Sequence, residues 1–150
     1  PRLIERTGAG EGSAGSITAF YTVLADGDDQ NDPVVDISRA ILDGHIVLSR
    51  SQAQMGVYPA IDVSLSVSRV MNEITSDTHQ AEARQFKRLV ALFLENRDLI
   101  LMGGYRQGQD AELDRAVQLW PSMMAYIQQQ EAEKANLATS IEGLSALMPK

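Results

Sequence analysis

The sequence contains no cysteine, which excludes disulfides and thiolate metal sites. No apolar run approaches the roughly 20 residues of a membrane-spanning helix, and no basic start followed by an apolar middle reads as a signal peptide. A cytosolic protein is therefore expected. Lysine is scarce: Lys87, Lys134 and Lys150 are scattered, and the net charge is −7 with a pI near 4.7. Binding a phosphate backbone needs a concentrated basic stripe, so no nucleic-acid partner is expected. The two histidines, His45 and His79, show neither H-x-x-x-H nor H-E-x-x-H spacing, and no metal site is expected. None of the three lysines follows a glycine, so G-x-x-x-x-G-K-[ST], the loop that cradles nucleotide phosphates, is missing.

What is present is a chain of 150 residues, 44% apolar and 22% charged, enough for a real core but short for two full domains. It opens on Pro1 rather than Met, and a fragment or processed piece is expected. Gly10, Gly12 and Gly15 match G-x-G-x-x-G, but that fingerprint works only after a strand and before a helix, and here a mobile loop is the reading. Ile17 to Leu24, dense in β-branched and aromatic residues, predicts a buried strand of a parallel sheet. Asp26, Asp28, Asp29 and Asp32 form an acidic loop that lacks the glycine and the final glutamate of a calcium loop. Asp32-Pro33 then predicts a helix start, with Val34, Ile37, Ala40 and Ile41 on one face and Gly44 as the stop. A strand over His45 to Ser49 completes a strand-helix-strand unit, so the first half reads as α/β.

Beyond Met71 the pattern turns helical. Asp77 or Thr78 caps a helix whose Phe86, Leu89, Val90, Phe93 and Leu94 form an apolar stripe, with Glu82, Arg84, Gln85, Lys87 and Arg88 facing water. Asp110 opens a second helix through Leu113, Ala116, Val117, Trp120, Met124 and Ile127, and Pro121 is expected to kink or restart it. The tail from Gln128 to Lys150 is weakly amphipathic, either a last helix or partly disordered.

The stretch from Met55 to Met71 carries the chemistry. Gly56 ends a short helix in a left-handed conformation, and Pro59 holds Tyr58 extended, so the phenol ring rides on a stiff turn. The alternation Ser64, Leu65, Ser66, Val67, Ser68 reads as an extended segment that delivers Arg69 near its end. The serines of that run have no nearby base and are assigned to backbone hydrogen bonds rather than nucleophilic work. Taken alone, Tyr58 is equally a ring buried against a sheet, and Arg69 equally a partner of Glu73 one helical turn later.

Tyr58-Pro59-Ala60-Ile61-Asp62 with Ser68-Arg69-Val70-Met71, preceded by Leu42 to Arg50, resembles the flagellar and type III secretion export ATPases, relatives of the catalytic subunit of rotary ATP synthases. Gly15 to Leu24, and Gly27-Asp28-Asp29 with Asp32-Pro33, match the same family in the same order, and the likeness extends to about residue 130. The resemblance implies the end of a RecA-like P-loop ATPase domain over residues 1–73, a parallel sheet with helices, and a helical C-terminal domain over residues 74–150. It implies that Arg69 is the arginine finger reaching a neighbouring subunit's γ-phosphate, and that Tyr58, with Tyr105 as opposite wall, packs adenine. It implies ATP and Mg2+ in the full-length protein, with the phosphate cradle, the magnesium-binding aspartate and the water-activating glutamate upstream of Pro1. This segment alone is therefore expected not to hydrolyse ATP.

The same resemblance implies a homo-hexamer at the base of the export apparatus, peripheral to the inner-membrane export gate. A coiled-coil stalk would be met through Asp26, Asp28 and Asp29, and export chaperones and substrates through the helical domain. Two other readings stay open: a rotary ATP synthase subunit, since Ser64 to Arg69 resembles the non-catalytic subunit as well, and a non-enzymatic protein-binding module working through the helices after Ser76.

Overall fold

In the computed structural model, residues 4–12, 15–25 and 32–148 are described. The chain divides into two units, Pro1–His45 and Ile46–Lys150. In the first, a 3-10 turn over Ile4–Arg6 leads into a minimal antiparallel pair, β1 (Gly8–Ala9) with β2 (Ser16–Ile17), in the register Gly8 to Ile17 and Ala9 to Ser16. Helix α1 follows over Pro33–Ile41, and the Asp32 carboxylate accepts from the amides of Val34 and Val35 with proline at the first helical turn.

The structure corrects the expected buried strand over Ile17 to Leu24. Only Ser16 and Ile17 are paired, and antiparallel; the rest has no regular structure, with Phe20 92% and Leu24 95% exposed. A β-rich sequence becomes a buried strand only where neighbouring strands take up its backbone groups and other elements cover its faces, and among the described residues only the two residues of β1 pair here.

Strand β3 (Gly44–Leu48) begins at the division between the units and pairs with β4 (Ile61–Ser68). Gly44 is thus the first residue of a strand rather than a helix stop; α1 ends at Ile41 with Leu42 extended as its cap. Between the strands lies α2 (Arg50–Gln54), capped by the Ser49 hydroxyl and closed by Gly56 at φ +73°. Ser66 knits the strand pair: its Oγ accepts from the Val47 amide at 3.1 Å and donates to the Asp62 carbonyl.

The rest of the second unit is helical: α3 (Met71–Ile74), α4 (Asp77–Glu95), α5 (Arg97–Leu101), α6 (Ala111–Ile127) and α7 (Leu137–Leu147). Ser76, one residue before the expected caps, closes the start of α4. The apolar stripe of α4 packs on α6 and α7 around Phe86, Leu89, Val90, Ala116, Met123, Leu144 and Met148. Two aromatic pairs pin the bundle: Phe93 stacks on Trp120 with centroids 3.8 Å apart, and Phe86 meets Tyr126 edge-on at 5.6 Å.

One further expectation changes, and two that were left open are narrowed. Glu82 does not face water; at 9% exposure it is buried, and the Ser145 hydroxyl of α7 donates to its Oε2 at 2.6 Å. A carboxylate is tolerated on the core face because a donor from the facing helix satisfies it. Helix α6 runs through Pro121 without interruption, at the cost of an N–H to the Val117 carbonyl, because Leu113, Ala116 and Met123 on either side are buried in one core. The tail forms α7, started by a reciprocal cap between Asn136 and Thr139 and anchored by Leu144 and Met148.

Candidate functional site

Tyr58 leaves α2 through the left-handed turn at Gly56 and is joined to Pro59 by a cis peptide. The neighbouring Val57 is buried, so the turn is rooted in the fold while the Tyr58 side chain stays 57% exposed. The ring stands on a cleft of about 640 Å³ lined by Gly56, Tyr58, Pro59 and residues 128–131. The floor is tied together by the Gln129 amide, which donates to the Tyr58 carbonyl at 2.9 Å. The lining thus combines an exposed aromatic ring with polar side chains from residues 128–131, a mixture of apolar and hydrogen-bonding surface.

Arg69 follows the last residue of β4 and is exposed at the bend between β4 and α3. Strand β4 therefore separates the two features: the aromatic turn lies ahead of its first residue, the guanidinium just behind its last. Its guanidinium is permanently charged and exposed.

Tyr105 has a different setting. It is not among the residues lining the Tyr58 cleft; its hydroxyl donates to Asp114 Oδ1 at 2.6 Å, and Asp114 Oδ2 accepts from the Gly108 amide at 2.8 Å. The hydrogen bond to the Asp114 carboxylate holds the Tyr105 phenol above its ordinary pKa of 10, with desolvation and the negative charge acting in the same direction. Asp26, Asp28 and Asp29 lie outside the described residues. Among the described residues no cluster of His, Asp or Glu could hold a metal ion, and no helix is long and apolar enough to cross a membrane.

Residues 128–131 and Asp114 escaped the sequence reading, because a contact from the end of α6 back to the Tyr58 turn leaves no periodic signal. So did Gln80 and Lys87 of α4. Gln80 Nε2 donates to the carbonyls of Asn72 (3.1 Å) and Thr75 (2.9 Å), and Lys87 Nζ donates to the Ser66 carbonyl at 2.8 Å.

Residues 1–68 match the model of the ATP synthase alpha/beta family, nucleotide-binding domain, and residues 75–146 match that of the T3SS EscN ATPase C-terminal domain. The fold is accordingly that of the rotary-ATPase class, the end of a nucleotide-binding domain followed by a helical domain. Over 149 residues, 99% of this chain and 33% of the relative, the sequence is 50% identical to the flagellum-specific ATP synthase of Salmonella typhimurium. The SPI-2 type 3 secretion system ATPase of the same organism is 46% identical over 99% of this chain and 34% of its own length. Among solved structures, the assembled ATPase EscN of enteropathogenic E. coli matches at TM-score 0.86 with 42% identity, covering 89% of this chain and 32% of that one. EscN in complex with its central stalk EscO matches at TM-score 0.86 with 39% identity, over 99% of this chain and 34% of that one. The chain belongs to the flagellar and type III secretion ATPase family, and it spans about a third of the length of the curated relatives it matches. The likeness runs on to residue 146, past the point near residue 130 where the sequence pattern loosens.

Proposed function

We propose that this chain is the C-terminal part of a hexameric ATPase that energises flagellar or type III protein export, with residues 1–73 closing the RecA-like domain and residues 74–150 forming the helical domain. The observation that carries the reading is the presentation of Tyr58 and Arg69 at opposite ends of β4, both exposed, in a chain 50% identical to a flagellum-specific ATP synthase. Tyr58 packs adenine; Tyr105, hydrogen-bonded to Asp114 and absent from the lining of that cleft, is given no part in it. Arg69 reaches the γ-phosphate of the neighbouring subunit, where its fork neutralises charge that spreads over the equatorial oxygens as the phosphoryl group departs. ATP and Mg2+ are held mainly by the remainder of the protein, and this chain alone is inactive. The protein works in the cytoplasm, peripheral to the export gate.

Two features favour particular partners. The relative EscN has been solved in complex with its central stalk EscO, which supports a stalk partner; the Asp26, Asp28 and Asp29 loop is the segment we assign to meeting it. Leu101 and Met102, 73% and 78% exposed at the end of α5, give the helical domain an apolar tip suited to export chaperones and their cargo. The rotary-synthase alternative is weakened by the match of residues 75–146 to the type III model.

The test is Arg69→Ala in the full-length protein. A contact made only in the transition state predicts that kcat falls by about 10³-fold or more while KM for ATP stays within about threefold. An equal loss of nucleotide affinity and turnover, or unchanged turnover, refutes the finger role.

A further inference from the structure

Arg69 lies at the β4 to α3 bend, and the backbone on both sides of it is gripped by the same helix. Three residues before it, the Ser66 carbonyl accepts from Lys87 Nζ at 2.8 Å. Three and six residues after it, the carbonyls of Asn72 and Thr75 accept from Gln80 Nε2 at 3.1 and 2.9 Å. Gln80 and Lys87 are seven positions apart on α4, two turns along one face, so a single rigid helix braces the segment fore and aft of Arg69. The brace continues inward. Ser66, held by Lys87 through its carbonyl, uses its hydroxyl to join β3 to β4, while α4 buries Phe86, Leu89 and Val90 in the helical core.

We propose that Gln80 and Lys87 are positioning residues for Arg69: the helical domain fixes the guanidinium's place in the neighbouring active site by holding the backbone on either side of it. The inference rests on the finger reading of Arg69 given above. Local hydrogen bonds to the Val70 and Met71 carbonyls shape α3 itself, and the bonds from α4 tie that segment to the helical domain. The orphan carbonyls at the end of α3 need a donor, and Gln80 supplies it. Lys87 adds a charge-assisted hydrogen bond to the other side. A displacement of roughly 1 Å at a reacting group costs on the order of 10²-fold in rate, so a brace remote from the nucleotide has kinetic reach. It also offers a route by which anything that shifts α4, a bound partner included, changes turnover in the adjoining subunit rather than in its own.

The experiment is a double-mutant cycle in the full-length ATPase, with single-turnover hydrolysis of γ-labelled ATP as the readout. Gln80→Ala with Lys87→Met, which keeps the lysine's apolar stem, is made with Arg69 present and in an Arg69→Ala background. With Arg69 present, the rate is expected to fall by about 10- to 100-fold while KM for ATP moves less than about twofold. In the Arg69→Ala background the same two changes are expected to cost less than about twofold, because the group they position is gone. Lys87→Arg, which keeps a donor within reach of the Ser66 carbonyl, is expected to stay within about threefold of the parent. Equal fold losses in both backgrounds, no loss with Arg69 present, or a Lys87→Arg variant as slow as Lys87→Met overturns the positioning role. Arg69→Ala measured alone separates the two failures: if it leaves turnover intact the finger reading has failed, and if it abolishes turnover while the brace variants do nothing only the present inference has.

Discussion

Gly143 sits in the middle of α7, where alanine would ordinarily be the better residue by about 1 kcal/mol. The structure predicts the opposite sign. A Cβ at this position lies 3.1 Å from Cε2 and 3.4 Å from Cδ2 of Tyr126, so the ring has to retreat by a few tenths of an ångström. It is poorly placed to do so: its hydroxyl donates to the Ser140 carbonyl at 2.8 Å, and the ring meets Phe86 edge-on at 67°. Overpacking against an immobile neighbour costs about 1 to 3 kcal/mol, and subtracting the helix-propensity gain leaves Gly143→Ala destabilising by about 1 kcal/mol. Thermal unfolding followed by far-UV circular dichroism should register a melting temperature lower by about 4 °C. With Tyr126→Leu in place the obstacle is removed, and Gly143→Ala should now stabilise by about 1 kcal/mol, a coupling near 2 kcal/mol between the sites. If alanine raises the melting temperature in both backgrounds, the ring is not held as described; if it lowers it in both, the clash lies elsewhere.

Other outcomes follow from the same helical core. Ser145→Ala removes the hydroxyl that donates to the buried Glu82 carboxylate and should lower stability by about 1 to 3 kcal/mol in urea titrations, with Ser145→Thr recovering part of the loss. Burial raises the Tyr126 phenol above 10, and the hydrogen bond to Asp114 raises that of Tyr105. Both groups are held neutral in the fold, so their stabilisation is fully present below pH 10 and is lost as pH climbs through their raised values. Absorbance at 295 nm should show both ionising above pH 10, and Tyr126→Phe should remove one late-titrating ring and soften the alkaline loss of stability.

Local chemistry made much of this architecture readable from the residues. Asp32-Pro33, Asp110 and the spacing of Phe86, Leu89 and Val90 each specify a helix through forces acting within a turn or two, and all three helices are present. Gly56 closes α2 in the left-handed conformation that its place before Tyr58 required. Ile17 to Leu24 failed for the opposite reason: a strand is defined by what lies beside it, and the residues themselves hold no record of their neighbours. Glu82 and Lys87 were placed in solvent because periodicity registers charge but not a serine hydroxyl sixty-three residues later or a carbonyl at the end of a strand. At Pro121 the local rule left a kink or a restart open, and the core on either side carries the helix across the missing bond without a restart. At the site, Tyr58 and Arg69 stood out as an aromatic and a cation on stiff mounts. Residues 128–131 beside Tyr58 and the grip of α4 around Arg69 arise from chain segments meeting in space.

The stack of Phe93 on Trp120 gives the molecule an optical gauge of its own. Trp120 is the sequence's single indole, and it lies where α4 and α6 face each other, on the same helix as Gln80 and Lys87 through its partner ring. Indole emission, excited at the red edge where the four tyrosines do not absorb, is therefore a one-channel signal of how closely those two helices are seated. Whatever tugs on α4 would announce itself as a change in colour or brightness, without any dye attached.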